Sequence, residues 1–334
     1  MKEQNILLLS AGRRIELIEL FKKAAKELKI TSNIVAADCD ELAPGLYFAD
    51  KKYVIPRISS SDYIDSIISI SRKENISLIV PTIDTELIIL SQNKNYIEEQ
   101  TNSRVLISNE YVISTCRDKE KTNTYLEEHG FNCPKLFNQN ELKTKKITFP
   151  LFIKPKSGSS SIDTFKINSI NELEGILPNI KDPIIQEFVS GVEYTVDALL
   201  DFDSKIITIV PRQRLSVRGG EIIKGKICKD QHIINEVKRL LELLNPIGPV
   251  AVQLIKESET NKIKFIEINP RFGGGAPMSI LSGADFCKYI YMVLDGDKIT
   301  YNENYEDGLY FLRFDKTICI NNNKEIIYDK STCF

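Results

Sequence analysis

The chain has 334 residues, 42% hydrophobic and 27% charged, with 44 Lys and Arg against 46 Asp and Glu for a net charge of -2. At about 150 residues per domain this length suits two or three globular units, and the composition excludes a disordered, collagen-like or coiled-coil protein. The balanced charge leaves no electrostatic footprint for nucleic acid, and no apolar run reaches the roughly 18 residues a membrane span needs.

The opening segment MKEQNILLLSAGRR holds only a short apolar core, too short for a signal peptide. NILLL (5–9) then reads as a buried parallel strand, and Ile15, Leu17, Ile18, Phe21, Ala24, Ala25 and Leu28 follow at helical spacing. NIVAAD (33–38), SLIVP (77–81) and RVLIS (104–108) are further strands. A helix opens at Ser61-Asp62, and a short helix separates the last two strands. Strand-helix-strand repetition predicts a parallel sheet with right-handed crossovers over residues 1–115. Its first loop, SAGRR (10–14), has one glycine where a dinucleotide fingerprint needs three. That loop and PTIDTE (81–86) still end parallel strands, where open sheets bind ligands. Arg13, Arg14, Asp84 and Glu86 are therefore candidate contacts for an acceptor substrate, with helix capping by Asp84 as the alternative.

The pattern changes near residue 115. RDKEKTNTYLEEHG (117–130) reads as one helix ended by Gly130. FPLFIKP (149–155), the loop SGSSS and DTFKI (163–167) form a hairpin flap. IIQEF (184–188), VEYTVDALLDF (192–202), KIITIVPRQR (205–214) and EIIKGKICK (221–229) continue as antiparallel strands. An amphipathic helix at 231–244, strands PVAVQLI (249–255) and KIKFIEINPRF (262–272), and a helix at 284–294 follow. Residues 116–300 are expected to form a second domain with a lid over about 120–190, and 301–334 a β-rich tail.

Two histidines, His129 and His232, leave too little supply for a catalytic triad or a multi-His zinc site. Seven scattered cysteines, an odd number with no CxxC pair, read as reduced thiols of a cytoplasmic protein. A metal here must be bound mostly by oxygen, which points to magnesium or manganese. Strand alternation predicts that Ile263, Phe265, Glu267, Asn269 and Arg271 share one face. Glu267 and Asn269 can hold hard cations, and Arg271 can fork onto a phosphate. Gln253, an amide inside an apolar run, needs a partner such as a metal or a carboxylate on the next strand. Lys154 and the backbone of the Ser157, Gly158 and Ser159 loop can hold phosphate oxygens. In Glu187-Phe188-Val189, main chain beside Phe188 can pair with a base edge, and a carboxylate from the face shared by Glu193, Thr195 and Asp197 can accept from ribose hydroxyls. Arg212, Arg214 and Arg218 suit a substrate carboxylate or acyl phosphate.

In this order, FIKP with a small-residue flap, IIQEFVSGVEYTVD, the strand carrying Gln253 and EINPRFGGG resemble the ATP-grasp superfamily. The branch is the one similar to the carbamoyl phosphate synthetase large subunit and biotin carboxylase. The resemblance spans roughly residues 1–300. It implies a parallel α/β domain followed by an ATP-grasp domain of two α+β subdomains. It further implies ATP with Mg²⁺ or Mn²⁺ as cofactors, Lys119 and Lys154 on the phosphates, and Glu187, Val189 and Glu193 on adenine and ribose. Gln253, Glu267 and Asn269 would be metal ligands, and Arg271, with Lys154 and Arg214, would serve the transferring phosphate. The expected function is an ATP-dependent carboxylate-amine ligase acting on small molecules through an acyl phosphate, with a homodimer left open. A non-catalytic ATP-binding protein and a phosphotransferase are the alternatives. The absent second half disfavours a carbamoyl phosphate synthetase, and the histidine positions disfavour a biotin carboxylase.

Overall fold

The computed structural model describes residues 3–138, 141–142, 147–156 and 163–329. Five parallel strands form the first sheet: β1 (Asn5–Leu9), β2 (Ile34–Asp38), β3 (Lys51–Val54), β4 (Ile76–Val80) and β5 (Arg104–Val105), in the order β3-β2-β1-β4-β5. The continuous apolar run of β1 follows from its central place. Ile6 and Leu8 pack toward α1 (Ile15–Leu28), while Leu7 and Leu9 pack toward α2 (Tyr63–Lys73) and α3 (Asp84–Gln100). The helix expected to be short is α3, with 17 residues. The last strand is confined to Arg104–Val105 rather than 104–108. The edge strand β3, KKYV, is exposed and carries two lysines, so hydrophobic patterning gave it no signal.

The helix expected over 117–130 is present over Lys119–Glu128, and a further helix, not expected from the sequence, precedes it. α4 (Glu110–Arg117) starts at Asn109, whose side chain accepts from the Val112 amide, and α5 (Lys119–Glu128) starts at Asp118. The Asp118 carboxylate accepts from the amides of Glu120 (2.9 Å) and Lys121 (3.2 Å), so the acid breaks one helix and caps the next. The lid is a four-stranded antiparallel sheet of β6 (Leu136–Phe137), β7 (Leu151–Pro155), β8 (Phe165–Ile167) and β9 (Pro183–Glu187), ordered β6-β9-β7-β8. With α6 (Ile170–Ile176) it closes a small core of its own around Leu151, Ile153, Leu173 and Ile185.

The second large sheet is antiparallel: β10 (Gly191–Leu200), β11 (Ile206–Arg218), β12 (Glu221–Ile227), β13 (Gly248–Glu257), β14 (Ile263–Asn269) and β15 (Tyr310–Leu312), ordered β14-β13-β10-β11-β12-β15. The tail therefore contributes an edge strand to this sheet before its own hairpin, β16 (Ile318–Ile320) and β17 (Ile326–Asp329). α7 (Gln231–Leu244) covers one face through Ile233, Val237, Leu240 and Leu244. On the other side α8 (Ala276–Leu281) and α9 (Phe286–Leu294) share a core with α1, where Phe21 meets Phe272 and Tyr291 edge-on at 6.2 and 5.9 Å.

The alternation expected along 263–271 is broken. Gln253 pairs with Glu267 and Leu254 with Phe265, which leaves Ile266 as an extra residue. This bulge re-aims the strand. Ile263, Phe265 and Ile268 enter the core under α7, while Ile266 and Glu267 line a cleft on the opposite side.

Candidate nucleotide and substrate site

A cleft of about 750 Å³ lies between the lid sheet and the six-stranded sheet. The lid supplies Phe152, Lys154 and Gln186. The crossing segment supplies Glu187, Phe188, Val189 and Gly191. The large sheet supplies Glu193, Arg214, Gln253, Ile255, Ile266 and Glu267, and Lys119 enters from the first turn of α5. Gly191 is fixed by space: a Cβ there would stand 2.3 Å from the Lys256 carbonyl oxygen. The crossing segment can therefore lie against β13 only with glycine at this point.

Lys154 is 7% exposed. Burial pushes its ammonium down to about 8, Glu267 opposing and Lys119 adding to the shift. Burial also lowers Lys119, against the pull of Glu267. The strand register sets Gln253 beside Glu267 on β14 and Thr195 on β10, with Asn269 opposite Ala251. The side chains of Gln253, Glu267 and Asn269 make no hydrogen bond or ion pair with another described residue. Glu267 and Asn269 continue into a smaller pocket with Asp84, Cys116 and Lys119. Three oxygen-bearing side chains thus converge unpartnered beside two depressed lysines.

Arg214 stands in the cleft with its Nε 2.9 Å from Glu193 Oε1. Its Nη1 donates to Thr195 Oγ1 at 3.2 Å and its Nη2 to the Gly220 carbonyl at 2.9 Å. Burial lowers its pKa. Glu187 pairs with Lys264 and accepts from the Lys135 amide at 3.1 Å, while the Lys166 ammonium lies 4.3 Å from the centre of the Phe188 ring. Val189 is buried.

Other expected residues are drawn elsewhere. The arginines of 211–221 are split three ways. Arg212 is fully buried on Asp197 (Nη2–Oδ2 3.0 Å), Arg214 lines the cleft, and exposed Arg218 pairs with Asp315 at 2.8 Å. Arg271 does not line the cleft; its guanidinium forks onto Asp84. Glu86 is not a substrate contact. It is fully buried and accepts from Ser10 Oγ (2.7 Å), Tyr63 Oη (3.0 Å) and the amides of Thr82 and Ile83 (2.7 and 3.1 Å). Burial nevertheless raises its pKa. The capping expected of Asp84 is performed by Glu86, and Asp84 is left for Arg271. Ser157, Gly158 and Ser159 lie outside the described residues. Sequence reasoning missed Glu221 and Arg313, which face Arg14; the alternation of YFLRF around Arg313 was the available signal.

Residues 6–105 match the family model of the PylC-like N-terminal domain, and residues 116–275 match the ATP-grasp domain. Carbamoyl-phosphate synthase of Methanobrevibacter smithii is 22% identical over 210 residues, 61% of this chain and 53% of that protein. D-alanine–D-alanine ligase of Francisella tularensis subsp. novicida is 27% identical over 197 residues, 53% of this chain and 66% of that protein. The matches thus span about half to two thirds of these relatives' lengths. The solved biotin carboxylase of Campylobacter jejuni superposes with a TM-score of 0.70 at 17% identity, over 92% of this chain and 74% of that one. No helix among the described residues is long and apolar enough to cross a membrane. Together with the two facing sheets and the cleft between them, these matches identify an ATP-grasp domain over residues 116–275, preceded by a PylC-like N-terminal domain over residues 6–105.

Proposed function

We propose that the protein is an ATP-dependent carboxylate-amine ligase acting on small molecules in the cytoplasm. The observation that carries this reading is the convergence of unpartnered Gln253, Glu267 and Asn269 on half-buried Lys119 and buried Lys154, across the cleft and the smaller pocket that adjoins it. Matches to ligases, D-alanine–D-alanine ligase among them, support it.

In this reading Lys119 and Lys154 take the ATP phosphates as point charges. Glu187, Phe188 and Val189 border the adenine, and Glu193 takes the ribose. Among the described residues no group of three or more His, Cys, Asp or Glu could hold a metal. The donor set is therefore mixed: one carboxylate, Glu267, with the amide oxygens of Gln253 and Asn269. Such a set suits Mg²⁺ or Mn²⁺, which fill remaining positions with phosphate oxygens and water. Bound there, the cation would offset the negative charge of the phosphate oxygens. A substrate carboxylate attacks the γ-phosphorus, the bond to the bridging oxygen breaks and ADP leaves. An amine then attacks the acyl carbon, phosphate departs, and the amine loses its proton. Arg214, at the cleft wall, stabilises the charge on the transferring group.

The test is incubation with MgATP and a panel of amino acids and other carboxylates, with and without hydroxylamine. ADP release with a trapped hydroxamate is expected. ADP with a stable phosphoester would make the protein a phosphotransferase, and nucleotide binding without turnover on the whole panel would make it a binding protein.

A further inference from the structure

The glycine run at 273–275 lies on a buried ion pair. Arg212 of β11 is 1% exposed, and its Nε and Nη2 donate to Asp197 Oδ2 of β10 at 3.2 and 3.0 Å. Ser279 of α8 donates its hydroxyl to the same oxygen at 2.6 Å. Three donors therefore crowd one carboxylate oxygen, while Asp197 Oδ1 and Arg212 Nη1 are buried without a hydrogen-bond partner among the described residues. Buried polar atoms left unpaired cost free energy, and apolar residues of similar volume often replace such a pair at no loss. The pair is thus a poor source of stability.

The glycine run, by contrast, depends on it. Gly275 has φ −98°, which any residue adopts, yet a Cβ there would stand 2.6 Å from both Nη1 and Nη2 of Arg212. Glycine is required at 275 by the guanidinium, which Asp197 pins in place. Two residues earlier, a Cβ at Gly273 would stand 3.3 Å from Asp197 Oδ1 and from the Ala251 Cβ. Asp197, Ala251 and Asn269 lie opposite one another on β10, β13 and β14, so their side chains share one face of the sheet. The chain leaves β14 at Asn269 and turns at Arg271, whose amide donates to the Asn269 carbonyl at 2.8 Å. It then folds back over that row. The seat of the run and the metal-ligand candidate Asn269 are the two ends of one row, with small Ala251 between them.

We propose that Arg212 and Asp197 are positioning residues: the guanidinium seats the glycine run, and the seated run fixes the end of β14 so that Asn269 keeps the place of a metal ligand. This rests on the ligase reading above, in which Asn269 meets the cation. Neither Arg212 nor Asp197 lines the nucleotide cleft, so the pair acts only through the backbone it supports.

The experiment compares the full chain with the double variant Asp197→Leu/Arg212→Met, which removes both charges together, and with Gly275→Ala. Three quantities are measured: the denaturation midpoint, amide hydrogen exchange, and the apparent Mg²⁺ affinity from thermal shifts at fixed ADP. The double variant should keep or raise the midpoint. Its amides over 271–276 should exchange at least tenfold faster, with the rest of the chain unchanged. It should bind Mg²⁺ at least fivefold more weakly while metal-free ADP binds as before. Gly275→Ala should reproduce the exchange and metal effects in the parent chain. In the double variant it should add less than twofold to either, because the pinned guanidinium it strikes is gone. Unchanged exchange and Mg²⁺ affinity in the double variant, or a Gly275→Ala chain that behaves as the parent, would overturn the proposal. So would a fallen midpoint with faster exchange throughout the chain, which marks a prop of the core. If the parent binds neither ADP nor Mg²⁺ with it, the ligase reading fails instead, and the exchange measurement still decides whether the pair seats the run.

Discussion

Arg271 and Asp84, 187 residues apart, form a two-pronged ion pair, with Nε–Oδ1 at 2.7 Å and Nη2–Oδ2 at 2.5 Å. Both side chains are nearly buried, at 13% and 10% exposure. The pair ties the end of the strand bearing the metal-ligand candidates to the first turn of α3.

Asp84→Asn keeps the shape but removes the charge that Arg271 faces. A largely buried guanidinium without its partner costs about 3 kcal/mol. The denaturation midpoint of the variant should fall accordingly. Ligase turnover should fall with it, while the affinity for MgADP stays unchanged. Unaltered stability would show that the pair is not an anchor.

Lys154 sets a pH dependence. Its ammonium titrates near 8 in the free protein, whereas phosphate oxygens favour the charged form. ATP affinity should be flat below about pH 7 and fall above pH 8, with proton uptake on binding seen as a buffer-dependent heat. Lys154→Arg, always charged, should flatten the profile. For stability the sign is opposite to that of a paired lysine. The folded value lies below the ordinary 10.5, so the unfolded chain binds more protons between pH 8 and 10.5. Through that window this residue's contribution to stability rises with pH.

Glu267→Gln removes the one carboxylate among the three metal-ligand candidates. The Mg²⁺-dependent part of thermal stabilisation by ATP should shrink at least tenfold in apparent metal affinity. Binding of metal-free ATP should hold or improve, because a negative charge beside the phosphates is gone. The readout is a thermal-shift titration of Mg²⁺ at fixed ATP. Equal metal dependence in both proteins would remove Glu267 from the site.

Glu86 should act on stability alone. Glu86→Ala orphans the Ser10 and Tyr63 hydroxyls and two amides, at a cost of about 2–4 kcal/mol. At a temperature where the variant is folded, KM for ATP and for the acceptor should match the parent. A KM shift without loss of stability would return Glu86 to the substrate site.

Much of the architecture was legible in the sequence because burial on both faces leaves a plain mark. NILLL reads as a central parallel strand, and Lys154, Glu187, Glu193, Gln253 and Glu267 line one cleft, with Asn269 in the smaller pocket that shares Glu267. What escaped depends on geometry that a one-dimensional pattern does not encode. Strict alternation put Phe265 and Glu267 on one face, and a single extra residue, Ile266, sends them to opposite sides. Arg212, Arg214 and Arg218 look alike in sequence, yet their partners Asp197, Glu193 and Asp315 come from distant segments. Asp118 reads as one more polar residue within a helix until its carboxylate is seen closing the next turn's amides.

The edge-on contacts of Phe21 with Phe272 and Tyr291 bear on how this chain can be cut. The ATP-grasp match ends at 275, but α8 and α9 lie beyond it and complete an apolar mass that begins with β1 and α1. A fragment bounded at 116 and 275 would carry Phe272 with neither Phe21 nor Tyr291 against it, and would lose the arginines of the first loop and tail. The lid sheet, by contrast, closes its own small core. The seam between separately packed cores therefore runs around the lid sheet, along one wall of the cleft, and not between the two matched domains. The first sheet and the end of the chain are joined in one apolar core that the lid sheet does not share.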